Sequence, residues 1–154
     1  MKLRNNGAIL QKCLHMQILH IKATDLSPEI LLSPQKNSFF IRGKSSPDDV
    51  RAIYYPVIEW IKIFIDDILE GEFKNFNAEN PLKFQIDLSY FNSSSAKFLY
   101  DILQEFKRLI TAGIPIIVEW ISEEGDTDMK DAGTDISLLA GFDFSFITKK
   151  SVGQ

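Results

Sequence analysis

Asn92, Ser93, Ser94 and Ser95 stand between a segment with strand periodicity and one with helical periodicity. Small polar side chains at such a junction suit three kinds of chemistry. A serine acts as a nucleophile if a base lies within hydrogen-bond reach. It caps the helix if its oxygen accepts from the first-turn amides, which lack intrahelical partners. It accepts a phosphate if a second protein can reach it. At the positive end of a helix, a phosphate of about −1.5 to −2 charges is tolerated without unfolding anything. Capping and modification are compatible, since one residue can cap while its neighbour is modified.

The nucleophile reading lacks its base. The two histidines are His15 and His20, both near the N-terminus, and none follows. No Gly-x-Ser-x-Gly elbow, phosphate-cradling glycine loop or Gly-x-Gly-x-x-Gly fingerprint occurs. A zinc site is not expected, because neither histidine has cysteine or carboxylate neighbours at ligand spacing. The acidic run Glu123, Glu124, Asp126, Asp128, Asp131 and Asp135 lacks the glycine and terminal glutamate of an EF-hand loop. It reads as a solvated loop and exposed helix face, or as a docking surface for a basic partner. The chain is therefore read as non-enzymatic, with no metal and no cofactor.

The elements that must position the serines are legible around them. Upstream, Leu82, Phe84, Ile86, Leu88 and Tyr90 alternate with Lys83, Gln85, Asp87 and Ser89, the period of a half-buried strand. Downstream, Ala96, Leu99, Tyr100, Leu103, Phe106 and Ile110 recur at helical spacing. Residues 30–33 and 38–42 read as a hairpin around Pro34 and Asn37, followed by a loop over 43–46. Ser46-Pro47-Asp48-Asp49 reads as a helix start. Val50, Ile53, Tyr54, Val57, Ile61, Phe64, Ile65 and Ile68 then form an apolar stripe, with Pro56 expected to bend the helix. Gly71 and Gly113 are expected at helix ends. Residues 114–121 read as a central strand and 127–139 as a shorter helix. Residues 142–148 read as a last strand with Phe142, Phe144 and Phe146 on one face. This order, ββαβαβαβ, predicts an α/β fold with a mixed sheet of about five strands and helices mainly on one face.

The chain has 154 residues, 45% hydrophobic and 25% charged, enough for one substantial core. A net charge of −4 with no basic stripe argues against nucleic-acid binding. The single cysteine, Cys13, excludes an intramolecular disulfide and fits a reducing cytoplasm. No apolar run approaches the roughly 20 residues of a membrane span. Residues 1–17 are read as an N-terminal extension without a signal-type apolar segment, Met16 being a second candidate start. Residues 18–150 are read as one domain and 151–154 as a polar tail.

The run Ile86-Asp87-Leu88-Ser89-Tyr90-Phe91-Asn92-Ser93-Ser94-Ser95-Ala96-Lys97 resembles the phosphorylation segment of the SiaC family of bacterial regulatory phosphoproteins. Thr24-Asp25-Leu26-Ser27-Pro28, Gly43-Lys44-Ser45-Ser46-Pro47 and Tyr55-Pro56-Val57-Ile58-Glu59-Trp60 resemble it too. So does the stretch from Val118-Glu119-Trp120 through Asp126-Thr127-Asp128-Met129 to Ala132-Gly133. The family is similar in fold to the STAS domains of anti-anti-sigma factors. The resemblance implies a phosphoacceptor after the asparagine, Ser93. Better-known members carry threonine there, and the serine run makes Ser94 the second candidate. Asn92, Ser94 and Ser95 would shape and cap the turn, and Tyr90, Phe91 and Lys97 would flank it as partner contacts.

The resemblance also implies partner switching. A histidine-kinase-like Ser/Thr kinase phosphorylates the turn and a PP2C-type phosphatase reverses it. The unmodified form binds an effector such as a diguanylate cyclase, linking the switch to cyclic di-GMP and biofilm growth. The alternative from the residues alone is a constitutive scaffold or ligand-binding module with the serines acting only as caps.

Overall fold

The computed structural model describes residues 17–151. The expectations for the N-terminal extension before Gln17, with Cys13, His15 and Met16, and for the tail after Ser151 lie outside the described residues. Six strands and three helices follow in the order β1 (Leu19–Ile21), β2 (Glu29–Ser33), β3 (Ser38–Ser45), α1 (Val50–Leu69), β4 (Leu82–Phe91), α2 (Ser93–Thr111), β5 (Ile116–Glu123), α3 (Thr127–Ala140) and β6 (Ser145–Lys149). The sheet runs β1-β2-β3-β4-β5-β6 in space. β1, β2 and β3 pair antiparallel, and β3 to β6 pair parallel.

The mixed α/β architecture agrees with the sequence reading, with one strand more than the five expected. The added strand, β1, is a three-residue edge strand, too short to show an alternation. Each strand–helix–strand step moves one strand along the sheet in the same direction. Right-handed crossovers then place all three helices on one face. That face holds the core: Ile41, Phe84, Ile86 and Trp120 from the sheet meet Tyr54, Ile61, Phe64, Leu99, Leu103 and Phe106 from the helices, each at most 2% exposed. On the opposite face the polar side chains pair with one another. Glu29 accepts from Arg42 Nε at 2.7 Å and contacts His20 Nε2 at 2.8 Å, Gln85 donates to Glu119 at 2.9 Å, and Lys149 to Asp87 at 2.7 Å.

Several boundaries move for identifiable reasons. The expected loop over 43–46 is largely strand: β3 runs to Ser45 because its parallel pairing with β4 continues to Ser45↔Phe91, with Gly43 at φ +106°. α1 starts at Val50, capped by Asp49, whose carboxylate accepts from Ala52 N at 3.1 Å. Ser46 lies three positions before this cap, and its N–H donates to Leu26 O at 2.7 Å. The helix continues through Pro56. Trp60, absent from the apolar stripe as read, is buried, and its indole N–H donates to Gln17 O. The last strand starts only at Ser145, so Phe142 and Phe144 precede it; Phe144 stacks on Trp120 while Phe146 is 42% exposed.

α3 approaches β5 closely because position 133 has no side chain. A Cβ on Gly133 would lie 2.5 Å from the indole of fully buried Trp120, whose N–H donates to Met129 O at 2.9 Å. Overpacking of this kind typically costs about 1–3 kcal/mol. It opposes the roughly 0.8–1.0 kcal/mol by which alanine surpasses glycine inside a helix. Gly133→Ala is predicted to lower the melting temperature although it is the better helix former; thermal unfolding followed by circular dichroism checks this, and a raised midpoint contradicts the packing account.

Candidate functional site

α2 begins at Ser93, with Asn92 as its N-cap in extended backbone. The Asn92 side-chain oxygen accepts from Ser95 N at 2.9 Å, satisfying one first-turn amide. Ser93 and Ser94 occupy the first two helical positions and are exposed, and neither side chain hydrogen-bonds within the described residues. Ser95 points the other way and is fully buried. The turn is therefore shaped by Asn92 and Ser95, and two hydroxyls are left facing solvent at the positive end of a 19-residue helix.

Ser95 is held by Ser45, the last residue of β3. Ser95 Oγ donates to Ser45 O at 3.0 Å, and Ser45 Oγ donates to Ser95 Oγ at 2.8 Å. Each hydroxyl has one hydrogen, so the 2.7 Å contact between Ser45 Oγ and Tyr54 Oη must be donated by the tyrosine. Ser45 O also accepts from Asn92 N at 3.0 Å. Ser45, Ser95 and Tyr54 are each 0% exposed. Burial pushes the Tyr54 phenol above its ordinary range. The Tyr54 ring stacks on Phe98 of α2, centroids 5.5 Å apart. One sheet strand and two helices thus meet at a closed set of hydroxyls directly beneath the serine turn.

A bulge in β4 determines what flanks the turn. The β3–β4 register passes from Gly43↔Leu88 to Lys44↔Tyr90, skipping Ser89, whose hydroxyl donates to Gly43 O at 3.1 Å. The extra residue reverses the strand's phase. The alternation read from sequence holds as far as Leu88 and breaks at Tyr90, which is 51% exposed with Lys44 Nζ 5.9 Å from its ring centroid. Phe91 turns inward instead, half-buried and edge-on to Trp120. Lys97 is exposed on α2, 3.3 Å from Asp101. Of the three flanking residues, Tyr90 and Lys97 face solvent, while Phe91 belongs largely to the core.

The acidic run lies at the same end of the sheet. Asp126 caps α3 by accepting from Met129 N at 3.1 Å. Glu123, Glu124, Asp128, Asp131 and Asp135 are exposed. Among the described residues no group of three or more His, Cys, Asp or Glu side chains is placed to hold a metal ion, and no helix is long and apolar enough to cross a membrane. Ser45 and Tyr54 are the site residues that sequence reasoning did not single out. Their signal was present but weak, a tyrosine inside an apolar stripe, whose hydroxyl needs a partner when buried.

Residues 21–149 match the family described as SiaC family regulatory phosphoprotein, a span that includes the whole serine turn. A protein of Pseudomonas aeruginosa strain UCBPP-PA14, described as uncharacterized, is 29% identical over 105 residues, covering 68% of this chain and 75% of that protein. Two solved structures share the fold. One is the crystal structure of the diguanylate cyclase SiaD in complex with its activator SiaC from Pseudomonas aeruginosa, at TM-score 0.72 and 24% identity over 85% of this chain and 99% of the matched chain. The other is apo-SiaC from the same organism, at TM-score 0.68 and 24% identity over 87% and 99%.

The geometry assigns different energies to neighbouring residues. Ser95→Ala is predicted to cost about 1–3 kcal/mol, because the buried Ser45 hydroxyl loses the acceptor of its hydrogen while keeping only its contact with Tyr54. Asn92→Ala should cost about 1 kcal/mol, whereas Ser93→Ala should stay within about 0.5 kcal/mol. Denaturant unfolding separates the three; equal losses at 93 and 95 would contradict the arrangement. Tyr54 adds a pH signature. Its folded pKa lies above the unfolded value of about 10, so its contribution is intact below pH 10 and lost as pH rises through the folded value. Stability of the Tyr54→Phe variant should therefore fall less steeply above pH 10 than that of the parent.

Proposed function

The chain belongs to the SiaC family of regulatory phosphoproteins, and we propose that it works in the bacterial cytoplasm as a non-enzymatic partner switch with Ser93 as its phosphoacceptor and Ser94 as the second candidate. The modifying enzymes are a histidine-kinase-like Ser/Thr kinase and a PP2C-type phosphatase. The unmodified form binds an effector. A relative is described as the activator of a diguanylate cyclase, which makes that enzyme class the leading effector and cyclic di-GMP and biofilm growth the outputs. No nucleic acid, membrane or cofactor is part of the mechanism.

The observation that carries the reading is the contrast within one turn. Ser95, Ser45 and Tyr54 lock it from below, and Ser93 stands exposed on top at the first helical position. A phosphate there meets the positive end of α2, so the fold accepts it. What changes is the surface. A dianion must be desolvated before the rim of Tyr90 and Lys97 can be buried against a partner. Each 1.4 kcal/mol lost at that interface lowers affinity about tenfold.

Incubation with the cognate kinase and ATP, read by intact mass, tests the assignment. The parent and Ser94→Ala should each gain one phosphate, and Ser93→Ala none. A normal gain by Ser93→Ala removes Ser93 as the acceptor.

A further inference from the structure

Ser93, Lys97 and Asp101 are spaced four apart along α2 and share one face of the helix. In the unmodified chain Lys97 Nζ lies 3.3 Å from Asp101 Oδ2. Here the lysine precedes the acid, the less favourable of the two orientations on a helix. An acidic group at position 93 would precede Lys97 by four residues, the more favourable orientation, and would sit in the first turn, where negative charge is stabilised. A phosphoserine carries about −1.5 to −2 charges and three acceptor oxygens, against a single charge on aspartate. Orientation, charge and position in the helix all favour residue 93 over residue 101 once the phosphate is present.

We propose that Lys97 is a counter-ion that changes partner on modification, held by Asp101 in the unmodified chain and captured one turn nearer the N-terminus by the phosphate on Ser93. The proposal rests on Ser93 as acceptor and states how the modification is transmitted. Lys97 and Asp101 line a groove of about 540 Å³ between α1 and α2, together with Tyr55, Glu59, Lys62 and Phe98. Before modification its two lysines face two carboxylates. After capture, the groove lining keeps one lysine, Lys62, against two carboxylates, Glu59 and Asp101. The phosphate thus makes the groove more acidic without entering it. The modified surface extends from the turn along the α1–α2 face, past Tyr55, which is 56% exposed.

Phosphoserine encoded genetically at position 93 of the full chain tests the capture without any kinase. The probe is the phosphate itself, titrated by ³¹P NMR at fixed ionic strength in the parent, Lys97→Gln and Lys62→Gln backgrounds. The effect of the helix terminus is common to all three and cancels. Loss of an exposed i,i+4 pair should raise the phosphate midpoint in Lys97→Gln by about 0.2–0.4 pH units, with Lys62→Gln close to the parent. Coincident midpoints in the parent and Lys97→Gln overturn the proposal, as does an equal rise in Lys62→Gln. Failure of Ser93 as the natural acceptor shows separately, in the kinase mass measurement, and leaves this titration unchanged.

Discussion

Ser45 ties the end of β3 to α1 and to the start of α2 beneath the serine turn. Its carbonyl accepts from Asn92 N and Ser95 Oγ, and its hydroxyl lies between Ser95 and Tyr54. The end of β3, the start of α2 and the second turn of α1 therefore have fixed relative positions. Three buried hydroxyls would be a liability if any lacked a partner, since an unpaired polar group in the interior costs more than a made hydrogen bond returns. Here each is satisfied, and the network can adopt only one arrangement. The exposed serines above it inherit that rigidity. A hydroxyl offered to other proteins is useful as a switch when the turn carrying it does not itself need to be ordered first.

The layout of the sheet serves the same end. One face is buried under three helices and supplies the core, and the other is covered by short-range polar pairs such as Arg42–Glu29 and Lys149–Asp87. Exposed pairs of this kind contribute little to stability. The starts of all three helices lie at the end of the sheet where the parallel strands finish. The entrances of the three helices, the serine turn among them, are thus gathered at one end of the scaffold. The bulge at Ser89 completes the arrangement by turning Tyr90 out to the rim and Phe91 in toward Trp120.

Local periodicity carried most of the fold. The strand before the serines, the three helices and the ββαβαβαβ order follow from periods of 2 and 3.6 residues, which are local properties. The features that escaped are non-local. β1 is a strand only because β2 offers it an edge. Tyr90 reads as a core residue until the pairing with β3 introduces an extra residue beside it. Ser95 is indistinguishable from Ser93 and Ser94 by type, and only the helix phase, together with an acceptor fifty positions earlier in Ser45, draws it inside. The turn itself was readable, but not which of its serines is structural. The link from Ser45 to Tyr54 was hidden because each looked ordinary in its own segment.

The central claim is that one exposed hydroxyl decides which protein this chain holds. Its most direct test is peptide mapping of the chain isolated from its native host, separated into effector-bound and free fractions. The account predicts phosphate on Ser93 in the free fraction and an unmodified turn in the bound fraction. Phosphate at Ser93 in equal proportion in both fractions, or none at the turn in either, would contradict it.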